Sequence, residues 1–80
     1  MDQQVEEMTL LLMYLTSWEE NVGTKKNPIK VLRSWKGYPF DAINMLIDKH
    51  DLRGSFRAKS AMLTEQGIKR AEQLKKKYLH

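Results

Sequence analysis

Cysteine is missing from this 80-residue chain altogether. Disulfides, thiolate nucleophiles and cysteine-ligated zinc are thereby excluded, and a reducing compartment fits. Histidine is scarce, and no H-x-x-x-H or H-E-x-x-H spacing exists to hold a metal ion. The longest apolar run, Leu10 to Leu15, is six residues, far below the ~20 that a membrane span requires. The first residues carry Asp2, Glu6 and Glu7, opposite in charge to the basic leader of a signal peptide. The expectation is a cytoplasmic protein with no metal and no membrane partner.

What is present suits one globular domain over residues 1–80. The chain is 41% hydrophobic and 30% charged, an ordinary balance that is too small for two cores. The net charge of +4 conceals strong segregation. Residues 1–23 hold five acids (Asp2, Glu6, Glu7, Glu19, Glu20) and no base, whereas residues 24–40 hold five bases (Lys25, Lys26, Lys30, Arg33, Lys36) and no acid. Further bases follow at Arg53, Arg57 and Lys59, and again in the tail. Such a pattern either draws a polyanion to one side of the fold or covers helices with solvated faces.

Hydrophobic spacing predicts a first helix over about 3–18. Val5, Met8, Leu11, Leu12 and Leu15 form one stripe, while Leu10 and Met13 lie on the opposite side with Tyr14 between. A helix apolar nearly all round expects cover on both sides, so Leu10, Met13 and Tyr14 are expected to form a homodimer interface. Residues 19–27 read as a polar connector broken by Gly23. Two patterns compete at 29–35. Asn27-Pro28 followed by Ile29, Leu32 and Trp35 suits a short helix ending at Gly37, but Ile29, Val31, Arg33 and Trp35 also alternate as in a strand. The helix is the expectation. A third helix follows from Phe40, with Phe40, Ile43, Leu46, Ile47 and His50 inward. Residues 52–63 suggest a β-hairpin with a basic tip, and Thr64 caps a last helix whose stripe is Ile68, Ala71, Leu74 and Tyr78.

The predicted class is therefore mainly α with a small β-hairpin, in the order helix-helix-helix-hairpin-helix of the winged helix-turn-helix. Residues 63–67 (L-T-E-Q-G) resemble the turn that follows the wing in many bacterial winged-helix regulators. Arg33-Ser34-Trp35-Lys36-Gly37-Tyr38, with Lys59-Ser60 and that turn, further resembles a family of short bacterial proteins of unknown function. The resemblance spans roughly residues 10–79 and implies a fold but no activity. In physical terms, Leu63 ends the hairpin strand in the core, Thr64 caps the helix, and Gly67 permits a close approach.

The expected function is a small accessory or transcription-regulating protein that binds duplex DNA weakly through wing and basic loop. Lys30, Arg33, Lys36, Asn44, Arg53, Arg57 and Lys59 would make the contacts. Asn44 alone on helix 3 suits a bidentate contact with adenine, and Asp41 and Asp48 there oppose phosphate. The alternative is a protein-interaction module that binds no nucleic acid. Catalysis finds no constellation: Asp48 and His50 point roughly 200° apart on a helix, and no nucleophile triad or phosphate-cradling loop occurs. No catalytic residue, cofactor or small-molecule ligand is expected.

Overall fold

The alternation at residues 29–35 decides the architecture. The computed structural model describes residues 2–55 and 57–79, and in it Lys30–Trp35 is a β-strand. The elements run α1 (Gln3–Leu15), β1 (Trp18–Asn21), β2 (Lys30–Trp35), α2 (Phe40–Asp48), β3 (Leu52–Arg53), β4 (Ser60–Leu63) and α3 (Glu65–Tyr78). The strands form one antiparallel sheet in the order β1-β2-β4-β3. The predicted winged helix-turn-helix, with its helix-helix-helix-hairpin-helix order, is overturned. A second helix would have turned Ile29, Leu32 and Trp35 inward together, yet Ile29 and Trp35 are 51% and 62% exposed. Instead Leu32 packs against the core and Ser34 is buried, the two-residue rhythm of a strand with one covered face.

The partner strand was hidden because Glu19, Glu20 and Asn21 show no apolar alternation. Its pairing is secured by the intervening turn. Val22 donates its amide to the Ile29 carbonyl at 2.8 Å, and the Asn21 side chain accepts from the Gly23 amide at 3.0 Å. A side chain at Gly23 would meet the Asn27 carbonyl oxygen at 2.2 Å, so this turn requires glycine. The hairpin expected over 52–63 is present, with Leu52 opposite Leu63 and Arg53 opposite Met62.

All three helices cover the same face of the sheet. Leu52, Ala61 and Leu63 point inward to meet Leu10, Leu11, Met13, Ile43, Leu46, Ala71 and Leu74 in one buried cluster. Leu10 and Met13 are fully buried and Tyr14 packs against the same cluster. The three residues assigned to a dimer interface are therefore part of the monomer's own core. The exposed side of α1 carries Val5, Met8, Leu12 and Leu15 instead. Periodicity reveals that α1 has two apolar stripes but not which one turns inward. Among the described residues no helix is long and apolar enough to cross a membrane.

The helix ends carry their own signals. Asp2 caps α1 by accepting from the Gln4 amide at 2.9 Å, and Thr64 caps α3 by accepting from the Gly67 amide at 3.0 Å. α2 ends in a Schellman turn, in which the His50 amide donates to the Ile47 carbonyl and the Asp51 amide to that of Leu46. His50 takes the left-handed position there, at φ 67°. It is exposed, as is Phe40 at the start of the helix, so neither lies on the core stripe where helical spacing had put them.

A charged network holds the helices together. The Glu6 and Asp51 side chains are each 1% exposed. Lys49 and Arg70 reach Glu6 at 2.8 and 3.2 Å, and Arg70 also bonds Asp51, which further accepts from Gln66 at 3.0 Å. Burial alone would raise the Glu6 pKa, but the hydrogen bonds and charges of Lys49 and Arg70 outweigh it and hold the carboxyl below its usual value of 4.5. Glu7 is lowered likewise, chiefly by the Tyr78 hydroxyl that donates to it at 2.8 Å. A depressed carboxyl stabilises the fold fully above its unfolded pKa, and that stabilisation disappears as the pH falls through the folded value. The melting temperature of Glu6→Gln is therefore expected to lie below that of the wild type at neutral pH. The gap should close as the pH is taken below about 4.5. A gap unchanged at about pH 3 would contradict this assignment.

Candidate functional site

The end of β2, the side of α2 that carries Phe40, Asn44, Ile47 and Asp48, and the connection from β3 to β4 enclose a cleft of about 720 Å³. That lies in the size range of ligand-binding clefts. Its apolar lining comes from Ile43, Ile47, Phe40 and Trp35. Its rim carries Lys36, Arg57 and Lys59 against a single acid, Asp48. β2 and β4 bring these bases together: Trp35 lies opposite Ser60, and the Lys36 amide continues the pairing by donating to the Lys59 carbonyl at 3.0 Å. The Lys36 ammonium then donates to the Ser55 carbonyl and pins the connection down.

Of the seven residues assigned to nucleic acid from sequence, Lys36, Asn44, Arg57 and Lys59 converge on this cleft. The other three lie elsewhere. Lys30 stands at the far end of β2, 3.7 Å from Glu19. Arg33 lies on the uncovered face of the sheet, its Nε 3.1 Å from Glu20 in a charge contact without a hydrogen bond, and its Nη1 donates to Ser60 at 3.4 Å. Arg53 follows inward-pointing Leu52 on β3 and so faces the uncovered side, where the register sets it beside Met62.

Two features escaped the sequence reading. Trp18 and Trp35 pair across the uncovered face, with ring centroids 4.9 Å apart and planes inclined by 43°. Trp35 also lines the cleft, so it joins the two surfaces. The strand alternation at 31–35 was the signal that could have placed it outside. The second feature is a shallow apolar depression in which Val5, Met8 and Leu12 meet Tyr38 and Pro39. Among the described residues no group of three or more His, Asp or Glu side chains is placed to hold a metal ion.

Comparison with known proteins adds one finding. A family model described as a domain of unknown function, DUF6429, matches residues 1–80. The chain belongs to that family. No curated protein and no solved structure matches it. For a DUF6429 domain, function must therefore be argued from the surface itself. Three cations border the apolar cleft against Asp48, whereas Glu6 and Glu7 of α1 are buried in ion pairs, so the cleft is net positive. It offers positive charge beside exposed aromatic and aliphatic groups, which suits recognition of an anion with a flat or apolar part.

Proposed function

We propose that this DUF6429 domain is a non-enzymatic nucleic-acid-binding protein that holds the phosphate backbone along the cationic cleft. The observation that supports this most is the convergence of Lys36, Arg57 and Lys59 from two separate segments onto one rim. Three cations spread over that rim suit a repeating anion better than a single small one. Asp48 on the opposite wall limits the attraction, so binding is expected to be weak and salt-sensitive. α2 packs its Ala42, Ile43 and Leu46 inward and exposes Asp41 and Asp48, so it is poorly suited to enter a major groove between phosphates.

The test is fluorescence anisotropy with labelled 20-mer DNA at about 50 mM salt, where phosphate contacts are least screened. Arg57→Glu together with Lys59→Glu is expected to weaken binding about tenfold or more and to flatten the salt dependence. Both side chains are exposed, so the melting temperature should stay within a few degrees of the wild type. No binding at tens of micromolar wild-type protein would end the proposal. A second reading is favoured by the exposed α1 stripe: Val5, Met8, Leu12 and Leu15 form an apolar strip suited to another protein or a second copy. Light scattering on Met8→Glu/Leu12→Glu tests self-association, and an unchanged mass excludes a dimer through that strip.

A further inference from the structure

We infer that the uncovered face of the sheet is a stacking platform for unpaired bases, which makes the protein selective for single-stranded over duplex nucleic acid. This rests on the nucleic-acid reading of the cleft and names the form of ligand that the same surface would take.

Strand register sets the layout of this face. Trp18 lies opposite Arg33, Arg33 opposite Met62, and Met62 opposite Arg53. These four side chains therefore form one row across all four strands, on the side the helices leave bare. The row spans roughly 14 Å at the usual strand spacing. Trp35, 62% exposed, leans on Trp18 at one end of the face and borders the cleft with Lys36, Arg57 and Lys59. Planar or polarisable groups (two indoles, two guanidiniums and a thioether) thus run directly into the cationic rim.

Such a surface is ill suited to a duplex. Paired bases are covered above and below by their neighbours, and a broad sheet face cannot reach their edges within a groove. A single strand can lay its bases flat on indole and guanidinium while its phosphates meet lysine and arginine. The charge pattern agrees. Arg53 adds a cation to the face, and Glu20, the one acid there among the described residues, is already engaged with Arg33. A purely apolar protein partner would have to desolvate both arginines, whereas a nucleic acid uses them.

Binding is measured by quenching of the intrinsic fluorescence, since Trp18 and Trp35 are the only tryptophans. The probes are a dT 12-mer, an abasic sugar-phosphate strand of equal length, a 12-base-pair duplex and a 12-residue polyglutamate. The dT strand is expected to bind at least tenfold more tightly than each of the others, within the five- to 150-fold that a stacked base contributes. Trp35→Ala, at an exposed position, should remove that preference, bringing dT binding down to that of the abasic strand. Arg57→Glu/Lys59→Glu should weaken dT and abasic strands alike. Equal affinity for dT and duplex, or a preference that survives Trp35→Ala, overturns the platform and leaves the cleft proposal standing. Polyglutamate binding as tightly as dT overturns it in favour of an acidic protein partner. Absence of binding to every nucleic acid overturns both proposals.

Discussion

Replacement of Arg70 by methionine is expected to cost the protein about 3–5 kcal/mol of stability. The reason is that one guanidinium serves two buried carboxylates, Glu6 on α1 and Asp51 just before β3. Methionine keeps most of the side-chain volume but leaves both acids short of a partner, and an uncompensated buried charge is among the most damaging changes in a protein interior. Lys49 still reaches Glu6 and Gln66 still reaches Asp51, which keeps the cost from rising further. Against a total of roughly 4–12 kcal/mol for a domain of this length, the loss removes a large share of the stability. Urea titration should show a lower midpoint with little change in slope. Adding Glu6→Gln and Asp51→Asn to Arg70→Met should restore part of the loss, because the neutral groups no longer need a counter-charge. A cost below about 1 kcal/mol for Arg70→Met would mean the network contributes little.

Gly67→Ala is the second severe change. In most helices this substitution helps, by up to about 1 kcal/mol. Here the new methyl would sit 2.0 Å from the Asp51 carbonyl oxygen and 2.9 Å from its carbon. That carbonyl cannot easily retreat. It accepts from the Thr64 amide at 3.1 Å and from the Thr64 hydroxyl at 3.2 Å, and it follows directly on the turn that ends α2. α3 would have to shift away from the α2–β3 corner and drag Arg70 with it. The expected cost is about 3 kcal/mol, the upper part of the overpacking range, or a fall in melting temperature of roughly 12–24 °C. Gly37→Ala is the control, since nothing lies within 4 Å of a side chain there. A Gly67→Ala protein that melts as high as the wild type would disprove the close approach.

The limits of the sequence reading follow from these same residues. Helices α1 and α3 were legible because their apolar spacing is helical and their caps are conventional, and Gly67 was legible because a cap and a glycine stood together. β1 was not, since a short polar strand owes its existence to its neighbour rather than to its own pattern. Residues 29–35 satisfied both periods at once, and only the pairing of β2 with β1 and β4 separates them. The two apolar sides of α1 were visible, but their orientation depends on Glu6 meeting Arg70, 64 positions away. At the candidate site, basic residues could be picked out by composition. Their grouping could not, because the rim joins residues 36, 57 and 59 through a strand pairing that composition does not report.

The order β1-β2-β4-β3 leaves β1 and β3 with unpaired backbone groups on their outer sides. Such borders invite another chain to add a strand and begin aggregation. β3 is only two residues long, too short to template much pairing, and β1 sets Glu19 and Glu20 along its length. An incoming strand would bring a second copy of those carboxylates against the first. The acids that hid β1 from sequence analysis thus also help keep neighbouring molecules from joining into a continuous sheet.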